Sequence, residues 1–555
     1  MSQNLRMIVF VVLSASIFFI YSTFFAPPVT QQAALPDQQS EAVQASAQEV
    51  AKKDAVLKAP LVASDLKETK AEETIIAIKT NKAQIKLSTK GGVFTEYVLN
   101  DYRESADLKS PQQDLLKDEA NRALFLGLKG VPAFTEDKIF QVVSDNSFEG
   151  KREIRLQWQN SQVVFEKIIT VGDLPSDYGV TVDYRVQNLS DAPLALSPYL
   201  QHRVQQKEQK QKGGFLSRLK MQQPDVFIKS YFKDEALESE QSWEEELAAH
   251  SITGQVRWGA LADRYFAFIS VDEAANNTLS YEKQGQILTS QFYREEALVQ
   301  PQQTVAGRFV AFIGPKELKE LSAMNHSLQS IVDYGWFSIL AEPILWLMTF
   351  LHGFIPNWGL VIIVLTFIVK ILLHPVNKKS MTSMKGMQLL QPKLQQIKER
   401  YPDDREKQNQ EIMQLFRTHK VNPMGGCLPM VLQMPIYIVL YKVLWNAIEL
   451  YHAPFVGIYN DLSAPDPYFI LPVFLGVFMV LQQKLTPAAT TDPTQKKMMM
   501  IMPVMFTGFM LFLPVGLVLY IFVNTLMTVI QQFMLKRDLS VKDFVTGKWQ
   551  AKEAS

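Results

Sequence analysis

Residues 358–373 read WGLVIIVLTFIVKILL, an apolar run interrupted by a single charge, Lys370. Sixteen residues of helix rise about 24 Å, so with its flanks the run can cross roughly 30 Å of hydrocarbon. It is therefore read as a membrane span over 357–376, and the rest of the chain is organised around it. Similar runs predict further spans at 425–450, 466–485, 497–513 and 516–535, with Pro514-Val515-Gly516 as the tight turn between the last two. Near the N-terminus the uncharged run 7–25 follows Arg6. It reads either as a cleaved signal peptide or as an uncleaved anchor within 1–28. Its length, its phenylalanines and Pro27-Pro28 favour the anchor. The expectation is six transmembrane helices.

Charge orients these spans. Ten Lys and Arg lie between 377 and 423, none between 447 and 468, and five in the tail 536–555. Basic loops stay in the cytoplasm. With a cytoplasmic N-terminus, six spans put every basic loop there. The segment 336–354 is also apolar, but it holds Glu342, Pro343 and His352, and a seventh span there would invert every loop. Residues 319–356 are therefore read as amphipathic and interfacial, with Trp336 and Trp346 suited to the headgroup region.

The remaining chain looks soluble. Residues 29–72 are rich in Ala, Gln, Glu, Lys and Pro and cannot bury a core, which makes them a flexible tether. From 73 to 318 the pattern turns to β. Ile75–Lys79, 153–158, 179–184, 226–229 and 309–313 are alternating or β-branched, and turn signals such as Lys90-Gly91-Gly92 and Asn276-Asn277 separate them. Many short strands with few helices predict a β-sandwich outside the cytoplasm.

Between the spans, 377–424 reads as a cytoplasmic helical hairpin. Met387, Leu390, Leu394, Ile397 and Tyr401 repeat at helical spacing, and Pro402-Asp403-Asp404 turns the chain. Asp403 and Glu406 have capping-box spacing, and Ile412, Leu415, Phe416 and His419 line the second helix. The hairpin is either two solvated helices packed on each other or a docking arm for nascent chains or ribosomes.

Lys370 is the most informative residue. A lysine at the centre of a span costs about 2.5–3.5 kcal/mol on insertion scales, so it faces protein or water and marks a function. The bland alternative is a lysine snorkelling to the cytoplasmic headgroups. Thr366 lies one turn away on the same face. Gln433, Gln482, Gln483 and Asn524 also sit in spans, where interhelical hydrogen bonding is the ordinary explanation. Lys442 is expected to snorkel outward, near Glu449.

Several function classes are disfavoured. The 56 basic residues equal the 56 acidic ones, which speaks against generic DNA binding. Cys427 is the single cysteine, so there is neither an intrachain disulfide nor a Cys-based metal cluster. No HExxH, GxSxG or Walker A motif occurs, the seven histidines are scattered, and no catalytic residue, metal site or cofactor is expected. His202 and His250 alone fall in the β region, a thin basis for a sugar or metal site. A small-solute transporter stays open as the alternative, although the sequence shows neither inverted repeats nor several intramembrane carboxylates.

Five motifs carry a family resemblance. They are Asn357-Trp358-Gly359, residues 421–427 (VNPMGGC), Gln433-Met434-Pro435-Ile436, residues 461–468 (DLSAPDPY) and residues 514–520 (PVGLVLY). With these, residues 333–537 resemble the YidC-type membrane insertases, and the anchor, tether and β domain resemble the Gram-negative form. The resemblance implies an inner-membrane protein with both termini cytoplasmic and a periplasmic, supersandwich-like β domain. It implies a hydrophilic groove open to the cytoplasm and to lipid, lined by Lys370, Thr366, Gln433, Met434, Pro435, Tyr520 and Asn524. The family usually has Arg where this chain has Lys370, and often an aromatic where it has Ile521. The implied partners are newly made membrane proteins, the Sec translocon, the ribosome and the bilayer, and no nucleotide is needed.

Overall fold

The computed structural model describes residues 72–107, 109–148, 150–206, 227–234, 236–240, 250–272, 274, 276–334, 337–402, 404–419, 421, 428–485 and 493–536. The expected anchor, tether and basic tail lie outside these residues, apart from Glu72 and Lys536. So do Gly335, Trp336 and the 422–427 motif. The chain divides into two compact units, one of β structure and one that groups the helices from Phe337 onward with the segment Arg103–Pro111.

The β unit is a two-sheet antiparallel sandwich, as the alternating pattern predicts. The ten-stranded sheet runs in the order β1 (Ile75–Lys79), β2 (Ala83–Ser88), β3 (Val93–Arg103), β5 (Arg122–Lys129), β10 (Leu194–Gln205), β17 (Ile287–Arg294), β16 (Asn277–Gln284) and β13 (His250–Gly254). Two short strands, β4 (Gln112–Asp114) and β18 (Ala297–Val299), pair with β3 and β10. The nine-stranded sheet runs β12 (Ala236–Glu240), β11 (Ile228–Lys233), β14 (Val256–Ala262), β15 (Phe266–Val271), β19 (Thr304–Pro315), β9 (Gly179–Asn188), β8 (Val163–Val171), β7 (Lys151–Gln159) and β6 (Gln141–Phe148). Gly91 adopts a left-handed φ of 71°, and a Cβ there would meet the Glu136 carbonyl oxygen at 2.7 Å, so this turn requires glycine.

Phe94, Phe165, Val182, Trp258 and Phe309 are among the side chains filling the space between the sheets. One cation shares that space. Lys167 on β8 is fully buried, and its Nζ donates to the carbonyls of Gly92 and Leu124 on the opposite sheet side. Burial lowers its pKa to about 7. His202 on β10 is equally buried, neither ring nitrogen has a hydrogen-bond partner, and burial beside Lys167 pushes its pKa down to about 3. It is a neutral core histidine. His250 lies exposed on the terminal strand β13. The two do not form a site, and among the described residues no group of His, Cys, Asp and Glu is arranged to hold a metal.

The segment expected as one amphipathic stretch over 319–356 is divided. Helix α1 (Leu318–Ala323) and a 3-10 turn (Leu328–Ile331) belong to the β unit. Helix α2 (Ser338–His352) belongs to the helical unit. It buries Ala341, Leu345 and Met348 and exposes Ile339, Leu340, Trp346 and Phe350. An apolar face left outward on a short helix fits an interfacial position.

Helix α3 (Trp358–Arg400) is the longest element, 43 residues or about 65 Å. Asn357 caps it, its side chain accepting the Leu360 N–H at 3.0 Å. The apolar run 358–373 lies in its first half. The first helix of the hairpin is its second half, so helical structure does not stop at 376, despite Pro375 and Pro392 within it. Helix α4 (Arg405–Thr418) returns alongside. Its cap is Asp404, which accepts the Lys407 N–H at 2.9 Å, one residue later than the capping-box spacing suggests; Asp403 lies outside the described residues. Four more helices follow: α5 (Leu428–Asn446), α6 (Ile470–Leu485), α7 (Pro493–Met510) and α8 (Val515–Lys536). Segments 358–377 and 515–534 are long and apolar enough to cross a membrane, and 338–352, 470–485 and 500–510 are shorter apolar helices.

Candidate functional site

Helix α8 carries a polar residue at each of three successive turns: Tyr520, Asn524 and Thr528. Spacing of four residues keeps them on one face. That face meets α3 and α5, which supply Lys370, Gln433 and Tyr437. The start of α8 is fixed by a loop. The Val515 and Gly516 N–H groups, orphaned at a helix N-terminus, donate to the Ala464 and Leu462 carbonyls at 2.8 and 2.9 Å. Asp466, buried in the same loop, accepts the Tyr468 and Leu471 N–H groups and so shapes the entry to α6.

Lys370 is 5% exposed. Its Nζ donates to Thr528 Oγ1 at 2.7 Å. The Thr528 hydroxyl donates in turn to the Asn524 carbonyl at 2.7 Å. Asn524 Nδ2 donates to the Tyr437 hydroxyl oxygen at 2.5 Å, and Gln433 Nε2 donates to the Tyr520 hydroxyl oxygen at 3.1 Å. The Tyr437 and Tyr520 rings meet edge to face at 5.9 Å. Three helices thus share one polar constellation, in which Lys370, Tyr520 and Asn524 are buried and Gln433, Tyr437 and Thr528 half-buried. Thr366 is fully buried on α3 and donates to its own Ile362 carbonyl at 2.7 Å, so its proton is committed within the helix.

Of the residues expected in the groove, the structure gathers Lys370, Gln433, Tyr520 and Asn524. Met434 and Pro435 are exposed on α5 instead. Thr528 and Tyr437 are additions. Both were within reach of helical periodicity, since Thr528 lies one turn past Asn524 and Tyr437 one turn past Gln433. The Lys442 ammonium lies 5.8 Å from the centroid of the Phe337 ring.

The hairpin residues Met387, Leu390 and Leu394 form a small core with Phe416, and Ile412, Leu415 and Val421 pack against it. The two helices of the hairpin therefore pack on each other.

A large antiparallel sandwich joined to apolar helices around a buried lysine defines a class: a membrane protein with a folded soluble domain. Two family models divide the chain accordingly, the YidC periplasmic domain over residues 75–347 and the 60Kd inner membrane protein over 350–542. A membrane protein insertase YidC of Geobacter metallireducens is 33% identical, covering 97% of this chain and 99% of its own. Another, of Haemophilus ducreyi, is 36% identical over 85% of this chain and 88% of its own. The chain belongs to the YidC family of membrane protein insertases. A crystal structure described as an active YidC insertase is 18% identical with a TM-score of 0.36, covering 89% of this chain and 99% of that one.

Proposed function

We propose that the protein inserts newly made membrane proteins into the inner membrane through the polar site around Lys370. The observation that carries this reading is a buried ammonium with a neutral partner, set among apolar helices. Moving a polar segment across hydrocarbon is costly because its hydration is lost. A polar recess partway across shortens the dry path. Lys370 attracts an acidic tail, and Gln433, Asn524, Tyr437 and Tyr520 offer exchangeable hydrogen bonds. The apolar segment of the substrate then leaves along α5 and α8 into lipid, driven by apolar transfer of about 25 cal/mol per Å². Met434 and Pro435, exposed on α5, suit that lipid-side exit.

Six spans, with both termini and the 377–424 hairpin cytoplasmic and the β domain periplasmic, agree with the distribution of Lys and Arg. In this arrangement the second half of α3 projects into the cytoplasm, where the ribosome would deliver chains. The Sec translocon is the partner for substrates with large translocated domains. Nothing in this scheme consumes a cofactor or turns over a small molecule, and no observation supports solute transport.

Reconstitution tests the reading. Purified protein in liposomes should protect the translocated tail of a labelled single-span substrate from protease. Failure of that protection, with solute uptake in its place, would return the transporter.

A further inference from the structure

The partner of Lys370 is unusual for a buried cation. Buried charges are normally paired with an opposite charge. Here the partner is a hydroxyl, and among the described residues Lys370 makes no ion pair with a carboxylate. The protons settle the roles. Thr528 has one hydroxyl proton, and the Asn524 carbonyl takes it. Toward Lys370 the oxygen can therefore only accept. An ammonium has three donors and no acceptor, so one N–H is held and two are left. Thr528 is itself only partly buried.

We propose that Thr528 is a positioning residue for substrate selection: it holds the Lys370 ammonium at the α3–α8 seam through one neutral hydrogen bond, leaving its charge for an acidic group of the incoming chain. This rests on the insertase reading above. A carboxylate at position 528 would hold the ammonium too, but an arriving substrate carboxylate would have to displace it. A threonine supplies an anchor that need not be broken. The backbone bond from Thr528 to Asn524 matters as well, because it turns the oxygen lone pairs toward α3. Serine keeps both bonds, and valine keeps the shape and loses both.

The test is the ratio of insertion of one single-span substrate whose tail carries either Asp or Asn, in liposomes holding the full-length protein. Thr528→Val should lower the Asp:Asn ratio about three- to tenfold, the net scale of one typical hydrogen bond. Thr528→Ser should restore it toward the wild-type value. Thr528→Glu should abolish or invert it, by giving Lys370 a permanent partner. In a Lys370→Ala background, Thr528→Val should change the ratio no further, which a general packing defect would not reproduce. A Thr528→Glu protein that inserts the Asn-tailed substrate and keeps the wild-type ratio overturns the proposal. So does a Thr528→Val effect that persists without Lys370. If Thr528→Val fails to accumulate, the serine and glutamate variants decide the matter. Should Lys370→Ala alone leave the ratio unchanged, the electrostatic reading of the groove fails, whatever Thr528 does.

Discussion

Asn524 on α8 donates its side-chain N–H to the hydroxyl oxygen of Tyr437 on α5, at 2.5 Å. With Gln433 and Tyr520 this makes two polar bonds between the same two helices, the pair along which a substrate is proposed to leave. Interhelical hydrogen bonds in membranes average only about 0.6 kcal/mol, because each partner finds substitutes when separated. Such bonds hold helices together and still allow them to part. Tyr437→Phe and Asn524→Leu should each destabilise the helical unit by less than about 2 kcal/mol, and the double variant by less than the sum. Unfolding in mixed micelles would measure this. Strict additivity would mean that the two side chains do not act as a pair.

The hairpin has a different energetic basis. Met387, Leu390, Leu394 and Phe416 pack together between its two helices, so apolar burial holds the two together. Leu390→Ala should cost about 2 kcal/mol or more at this small core. The expected sign is faster hydrogen exchange and earlier proteolysis throughout α4, with the spans unaffected. Removing residues 384–416 should abolish insertion while the spans stay folded. Full activity of that deletion would make the hairpin a passive connection.

The β domain should respond to alkaline pH through Lys167. Its pKa is about 7 when folded against 10.5 for a free lysine. Below pH 7 both states carry the proton and the residue contributes no slope. Between 7 and 10.5 the unfolded chain binds more protons than the folded one. Stability contributed by this group therefore rises with pH, by at most about 1.4 kcal/mol per pH unit. Lys167→Met should flatten that slope in urea unfolding followed from pH 7 to 10. An unchanged slope would show that Lys167 keeps its proton inside the core.

Much of this architecture was legible in the sequence because two periodicities rarely mimic each other. The alternation at 75–79 and 179–184 became β1 and β9, and the apolar run at 358–373 became the first half of α3. Sheet order was not legible. The pairing of β10 with β5 and β17 depends on contacts between strands distant in sequence, which periodicity does not encode. The continuity of α3 was obscured by Pro375 and by the onset of charge at Lys378, both of which look like an end. The packing of the hairpin was not legible either, because burial of Leu390 depends on where α4 folds back. In the site, Lys370, Gln433 and Asn524 stood out as polar residues in apolar runs. Thr528 and Tyr437 did not, since a threonine or a tyrosine in a span is commonplace until its partner is known.

The β domain is predicted to be dispensable for insertion itself. Every hydrogen bond described at the candidate site joins residues from 362 onward, and the β domain has its own core. Deleting most of 75–310 while retaining residues 1–28 should leave single-span insertion near the wild-type rate. Loss of insertion at normal protein levels would give the domain a direct part in the reaction.

Substitutions at Lys370 separate charge from shape. Arg keeps the charge and adds a planar fork of donors, so Lys370→Arg should preserve insertion. Lys370→Glu reverses the field in the recess and should fail for substrates with acidic tails. Lys370→Ala should impair single-span substrates that depend on this protein alone and spare those that pass mainly through Sec. The size of the effect depends on how wet the recess is. Two unit charges about 4 Å apart attract by roughly 4 kcal/mol at an effective dielectric of 20, and by about 1 kcal/mol in water. An open groove lies toward the weaker figure, and Gln433 and Asn524 still offer hydrogen bonds to the tail. Thr366 offers less, since its proton is spent on the Ile362 carbonyl. The alanine loss should therefore be partial and the glutamate loss severe, because repulsion is added to lost attraction. The comparison uses one substrate with Asp or Asn in its tail, inserted by each variant. Equal insertion of the Asp-tailed substrate by Lys370→Glu and by wild type would leave Lys370 as a lysine that merely reaches for the headgroups.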